Sequence, residues 1–314
     1  MKINHTNYFK DGVLIQTDNM QTVFTFSNVN ISETFALDEK GMKILTKFKN
    51  PKIVLDGNIV KASENGITAK IKTAVSLWSE TDLTQIKEVA NSHKAKCKLG
   101  TLKKAIAFVS KNTNKAILQG VNISKNYVIA TNTFMLFREK NIIQDENEDD
   151  FNVTLSSEFV AALEGDNEEI IEIEFNTNKA KCVIGETTYI GRLLSGDYPK
   201  TEKLFTYPII DTLLITPEDV KDLLKYTSDE KNDIIAFNND LIEIEGNISV
   251  VKQNDTKIEI EKGARVSCEY LKTAISVIEE KDLESGFFIK IGFSQNFIFI
   301  NDNILIMQIV KQGE

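Results

Sequence analysis

The chain has 314 residues, of which 42% are hydrophobic and 26% charged, and its formal net charge is −9. That length suffices for two or three domains of about 100 to 150 residues, each burying its own core, and the composition excludes wholesale disorder. No apolar run approaches the ~18 residues of a membrane span and no leader-like segment opens the sequence, so a soluble intracellular protein is expected. Net acidity argues against indiscriminate coating of nucleic acid, which leaves locally basic faces as the route to a phosphate backbone.

Residues 1 to about 75 read as β-rich, with alternation over 12–17, 23–26 and 53–55, then 59–60 across the Asp56-Gly57 turn signal. Residues 38–48 read as an amphipathic helix, with Ile44, Leu45 and Phe48 inward and Lys40, Lys43 and Lys47 in one narrow sector opposite. A second helix is predicted over 79–90. Ser79-Glu80-Thr81-Asp82 form its cap and acidic first turn, and Leu83, Ile86, Val89 and Ala90 its stripe.

His93, beside Lys94 and Lys96, reads as a solvated side chain in a linker. A strand at 96–99 then leads into a helix over 101–110 that buries Leu102, Ala105, Ile106 and Val109, with Lys103, Lys104 and Lys111 in the opposite sector. Residues 118–137 form two strands joined by a tight turn at Ser124-Lys125-Asn126. The acidic run 145–150 lacks the glycine and oxygen-ligand spacing of a calcium loop and reads as solvated. A short capped helix at 156–163, closed by Gly165, precedes strands at 170–175, 181–184 and 189–194.

After Pro208 the element order repeats. Thr216 caps a helix with Pro217 in its first turn and Val220, Leu223 and Leu224 on its stripe. Strands follow at 234–237, 241–245, 248–252 and 257–260. Ser267 then caps a helix with Leu271, Ala274, Ile275 and Ile278 inward, and the tail alternates through 287–289, 297–300 and 304–309.

No catalytic constellation assembles from these elements. Cys97, Cys182 and Cys268 are far apart and lack metal-site spacing, so they read as single thiols in a reducing compartment. His5 and His93 are the only histidines, and neither a phosphate-cradling G-x-x-x-x-G-K-[ST] nor a G-x-S-x-G is present. No catalytic residue, metal or cofactor is expected.

Leu118-Gln119-Gly120-Val121, a short turn, and then Ile129-Ala130-Thr131-Asn132-Thr133-Phe134-Met135-Leu136 resemble the "L-N-G-V … A-T-D-G-H-R-L" core of the middle domain of the bacterial sliding clamp family, the beta subunit of DNA polymerase III. Leu194-Ser195-Gly196-Asp197-Tyr198-Pro199 is similar to the family's "G-x-[FY]-P" loop. The resemblance implies an α+β DNA-clamp fold of repeated β-rich domains, each with about two helices packed on curved antiparallel sheets. Its domains would be a shortened first one at 1–95, a middle one at 96–206 and a last one at 207–314. The helix over 79–90 would then either connect two domains or occupy the place of an absent first helix.

The implied function is that of a non-enzymatic processivity factor. A cytoplasmic head-to-tail homodimer would encircle duplex DNA and tether a polymerase and other partners, the clamp loader among them. Carried over onto this sequence, the DNA-facing residues would be Lys40, Lys43, Lys47, Lys103, Lys104 and Lys111, with Lys221, Lys225 and Lys272 in the last domain near Glu218, Asp222 and Glu269. The partner-peptide groove would hold Leu118, Thr131, Phe134 (often His in the family), Leu136, Leu305 and Met307. Asn132-Thr133-Phe134-Met135 departs from D-G-H-R, and Gln308 stands where the family tail commonly has Pro. Without the resemblance, the lysines fit the solvated faces of amphipathic helices, and Leu136 and Leu305 fit a core as well as a pocket. Two alternatives stand beside the clamp: an interaction module derived from it that no longer encircles DNA, and an enzyme on a β-rich scaffold.

Overall fold

Alternating apolar and polar residues become strand almost wherever they occur in the computed structural model, which describes residues 6–17, 23–74, 85–142, 150–227, 233–238, 241–246, 250–253 and 263–309. The first elements are β1 (Thr6–Lys10), β2 (Val13–Thr17), β3 (Val23–Asn28), β4 (Phe35–Leu37), α1 (Glu39–Leu45), β5 (Lys52–Asp56), β6 (Ile59–Glu64), β7 (Ile67–Lys72) and β8 (His93–Lys98). There follow α2 (Leu99–Ala105), β9 (Gly120–Ser124), β10 (Tyr127–Thr131), β11 (Met135–Lys140), β12 (Asn152–Ser156), α3 (Ser157–Ala162), β13 (Ile170–Phe175), β14 (Lys179–Ile184) and β15 (Thr187–Arg192). The last are β16 (Asp211–Ile215), α4 (Pro217–Leu224), β17 (Ile234–Asn238), β18 (Leu241–Glu245), β19 (Val250–Gln253), β20 (Ala264–Ser267), α5 (Cys268–Ser276), β21 (Ile289–Phe293), β22 (Phe297–Ile300) and β23 (Ile304–Met307). The chain divides into two compact units, one of Met1–Lys103, Ile123–Lys125 and Asn141–Ser195, the other of Lys104–Asn122, Asn126–Lys140 and Gly196–Glu314.

In the first unit an eight-stranded antiparallel sheet runs β4-β1-β2-β3-β15-β14-β13-β8. Successive side chains point to opposite faces, so each strand feeds two cores. Phe9, Leu14, Phe35 and Leu37 pack on one side with Leu45 of α1 and with Ile53, Val60 and Ile71 of the small β5-β6-β7 sheet. Tyr8, Ile15, Phe24, Phe26, Ala36 and Ile190 form the cluster on the other.

Ile86 packs on that second cluster, and the Lys87 ammonium lies 4.4 Å above the Phe26 ring. Of the helix expected over 79–90, residues 85–87 are helical and sit against this sheet, but the chain leaves the helix at 88–90, where Val89 is buried and Ala90, expected on the stripe, is exposed; residues 79–84 lie outside the described residues. Asp38 caps α1 by accepting the Gly41 N–H at 2.7 Å, and Ser156 caps α3 by accepting that of Phe159 at 3.1 Å.

Three expectations are corrected in this part of the chain. Ile44 is 39% exposed, because α1 ends one residue later and turns Gly41 and Leu45 inward instead. The stretch read as a linker around His93 is strand β8: Ala95 and Cys97 point into the core, while Lys94 and Lys98 pair with Glu172 at 2.5 Å and Glu168 at 3.1 Å. The following helix starts at Leu99 rather than 101 and tightens into a 3₁₀ turn at Ile106–Phe108, which buries Phe108 completely and leaves Ile106 half-buried.

The second unit carries a sheet that runs, from β9, β9-β10-β11-β23-β22-β21-β16, and a separate sheet β19-β18-β17-β20. Phe137, Ile304, Ile306, Ile298 and Ile300 are fully or almost fully buried on one face of the larger sheet, and Phe108 stacks on Phe137 with ring centroids 5.4 Å apart. Thr216 caps α4 through the Asp219 N–H at 3.1 Å with Pro217 as first helical residue, as its sequence predicts. Ser267 occupies the N-cap position of α5 but makes no side-chain capping bond. Strand β16 has no counterpart among the sequence-based expectations. Phe287, expected to open a strand, is 71% exposed in the turn before β21. The strand expected at 257–260, most of the acidic run 145–150 and residues 248–249 lie outside the described residues.

All three cysteines are buried free thiols. Burial pushes the Cys182 thiol up to about 12 from an ordinary 9.0, and raises that of Cys97 as well. A thiol held protonated by the fold contributes stability that is intact below its unfolded pKa and declines as pH climbs toward the folded one. Denaturant midpoints should therefore fall between about pH 9 and 12, and fall less steeply in Cys182→Ala.

Candidate functional site

Antiparallel register decides which predicted groove residues share a face. Thr131 opposes Leu136 and Ile129 opposes Arg138 across β10 and β11; Leu136 opposes Leu305 across β11 and β23; Phe299 opposes Leu305 and Phe297 opposes Met307 across β22 and β23. Directly opposed residues point the same way. Thr131, Leu136, Leu305 and Met307 therefore lie on one face, turned away from Phe137, Ile304 and Ile306.

Leu136 and Leu305 are each 2% exposed and form a cluster with Ile129, Phe297 and Phe299, against which Tyr127, Tyr198, Leu204 and Phe205 pack. Met307 is 41% exposed at the rim, and Tyr207, also exposed, meets Phe297 edge-on at 5.2 Å. The backbone N–H of Thr131 donates to the Tyr198 hydroxyl at 3.0 Å, which joins the two sequence motifs. Burial raises the Tyr198 hydroxyl above the ordinary tyrosine range, so it stays protonated.

Tyr198, Leu204, Phe205, Phe297 and Phe299 were not among the sequence-predicted groove residues. The Asp197-Tyr198-Pro199 motif points at the first, and the Leu204-Phe205 pair follows it closely enough to have been included.

The other predicted groove residues sit differently. Leu118 is 2% exposed in a 3₁₀ turn at Ala116–Gln119, and its carbonyl accepts the Ser110 N–H at 2.8 Å. Phe134 is 52% exposed and stacks on Tyr270 of α5 at 5.8 Å, while its carbonyl accepts the Met307 N–H. It leaves the strand because the Asn132 side chain accepts the N–H groups of both Phe134 and Met135, and Thr133 adopts φ 80°.

A β-branched residue in that left-handed region is strained, and glycine fills this place in the motif the turn resembles. Thr133→Gly should stabilise the protein by about 0.5–1 kcal/mol, after the entropy of the freer unfolded chain is subtracted, as read by denaturant titration. Gln308 donates its side-chain amide to the carbonyls of Ser294 at 2.7 Å and Phe297 at 3.3 Å, and its backbone N–H to Asn296. Proline could supply none of these bonds.

The predicted DNA-facing lysines divide by how their charge is engaged. Lys40 and Lys47 are exposed, and Lys43 is exposed with an i,i+4 pair to Glu39 at 2.8 Å. Lys103 donates to the Gly165 carbonyl at 3.2 Å, and Lys111 is exposed beyond the 3₁₀ turn. Lys104 is different: only 12% of its side chain is exposed, and Asp282 at 2.7 Å and Glu279 at 3.6 Å neutralise it. In α4 and α5, which pack on each other, Lys221, Lys225 and Lys272 are exposed; Lys225 pairs with Asp222 at 2.5 Å, which raises its pKa.

Among the described residues no group of three His, Cys, Asp or Glu side chains could hold a metal. No helix among them is long and apolar enough to cross a membrane.

No family model matches the chain. The beta sliding clamp of Staphylococcus aureus is 28% identical over 297 residues, covering 83% of this chain and 75% of that one. That of Staphylococcus epidermidis is 28% identical over 199 residues, 57% of this chain and 52% of that one. Among solved structures, DNA polymerase III subunit beta from Borrelia burgdorferi aligns over 98% of this chain and 91% of its own, with a TM-score of 0.74 at 18% identity. The DNA polymerase sliding clamp from Bacillus subtilis aligns over 98% and 91%, with a TM-score of 0.72 at 16% identity.

The chain is a distant homologue of the beta sliding clamps. Its sheets and helices have the DNA-clamp fold, and the family is not one of enzymes.

Proposed function

We propose that this clamp homologue encircles duplex DNA as a processivity factor and tethers a polymerase and a clamp loader through the β11–β23 face. The observation that supports this best is the apolar face itself, where four of the six groove positions carried over from the clamp motifs lie side by side with an exposed rim at Met307. The family's partners suit a short linear peptide with apolar anchors that would dock there.

The proposed ring is a cytoplasmic head-to-tail homodimer of modules 1–95, 96–206 and 207–314. Lys40, Lys43, Lys47, Lys103, Lys111, Lys221, Lys225 and Lys272 would face the DNA, while Lys104 drops out because its charge is spent internally. Enclosure accounts for an acidic protein holding DNA, since topological retention needs no strong site-specific affinity.

The test is native mass, expected at twice 35.4 kDa, followed by loading onto nicked circular DNA with a clamp loader and ATP. Cutting the circle once should release the bound protein at salt concentrations that the closed complex survives. Substituting Lys40, Lys43 and Lys47 together by Glu should shorten retention without altering the native mass. A protein that stays on cut DNA, or one never held by the circle while still binding partner peptides, would favour the interaction module that does not encircle DNA.

A further inference from the structure

Arg138 has no counterpart among the groove residues carried over from the family. Its register with Ile129 and its two-residue offset from Leu136 place it on the groove face. Its guanidinium lies 3.6 Å above the Phe205 ring and 4.8 Å from that of Tyr127, and Phe205 in turn meets Phe299 of the apolar cluster at 6.2 Å. Among the described residues no carboxylate makes an ion pair with it; Glu202 acts on it only through space, and burial lowers its pKa.

We propose that Arg138 reads a carboxylate, so that the segment docking on the β11–β23 face presents an acidic side chain beside its apolar anchors. This rests on the assignment of that face as a partner-peptide groove. Two aromatic rings cover the guanidinium, hold its plane and strip part of its water, while its N–H edge keeps a fork geometry that matches a carboxylate. A partly desolvated cation that no carboxylate among the described residues pairs with is costly, and an incoming carboxylate would supply charge and acceptors together. Lys140, two residues on along the same strand face and in register with Tyr127, is of the same sign, which reinforces selection for an acidic ligand.

The test uses fluorescein-labelled nonapeptides with a central Leu-Phe pair, in which each other position in turn is Asp or Asn. They are titrated against the full chain, Arg138→Gln, Arg138→Lys and Met307→Asp. At one position the Asp peptide should bind wild type about tenfold more tightly than its Asn twin. Arg138→Gln should erase that difference while leaving the Asn peptide's affinity nearly unchanged, and Arg138→Lys should restore part of it.

Equal binding of the twins, or a preference that survives Arg138→Gln, overturns the role of Arg138 and leaves the groove intact if Met307→Asp still abolishes binding. Absence of binding by every peptide removes the groove, and Arg138's role with it. Displacement of the peptide by duplex DNA that depends on Arg138 would assign the residue to phosphate and overturn the proposal.

Discussion

Phe137→Ala is expected to lower the unfolding free energy by about 3–5 kcal/mol, the cost of removing a fully buried aromatic ring and leaving a cavity. Phe137 has no exposed surface and stacks on Phe108, itself fully buried in the 3₁₀ turn after α2. Its strand partners Ala130 and Ile304 are small or already packed, so little can collapse into the space. Denaturant titration should show the loss as a lower midpoint with an unchanged slope. Peptide affinity per folded molecule should hardly change, because Phe137 points away from the face that carries Leu136 and Leu305. A comparable loss of affinity would mean that the two faces of β11 do not act separately.

Gly191→Ala should destabilise the first unit by about 1–3 kcal/mol through overpacking. The glycine lies in β15 under α3, and a Cβ built there would stand 2.5 Å from Phe159 Cδ2, 2.7 Å from Cγ and 2.8 Å from Cβ. Phe159 is fully buried and follows the Ser156 cap by three residues, so neither ring nor helix can move aside cheaply. The expected signature is coupling: in a Phe159→Ala background, Gly191→Ala should cost far less than it does alone. Equal costs in both backgrounds would show that the close approach of α3 to β15 is not what requires glycine.

Local chemistry made much of this fold legible in the sequence. Asp38, Ser156 and Thr216 each mark a helix start because their side chains accept an N–H two or three residues into the helix, an interaction that depends on nothing distant. The turns at Asp56-Gly57 and at Ser124–Asn126, between β9 and β10, were visible for the same reason, whereas the turn at Asn132–Phe134 that starts β11 as a separate strand was not.

Features that depend on partners remote in the chain were not visible. The first half of β8, around His93, reads as a polar linker until Glu172 of the neighbouring segment supplies Lys94 with a counter-charge. Lys104 looks like any solvated helix lysine until Asp282 meets it 178 residues later. The candidate face divided in the same way: motif residues pointed to Thr131, Leu136, Leu305 and Met307, which share it, but the aromatic side chains from Tyr198 to Phe205 and the stacked Arg138 depend on which strands become neighbours.

Strand β3 finds its neighbour β15 only after a long interval: Ser27 and Thr187, whose hydroxyls lie 3.2 Å apart, are separated by 160 residues. At a synthesis rate of ~5–20 residues per second, a nascent chain waits roughly 8–30 s with the rim of β3 unpaired. Phe24 and Phe26 stand on that bare strand, an invitation to pair with another unfinished copy. Slower growth or abundant chaperone during expression should therefore raise the yield of soluble product more than any change to the finished surface.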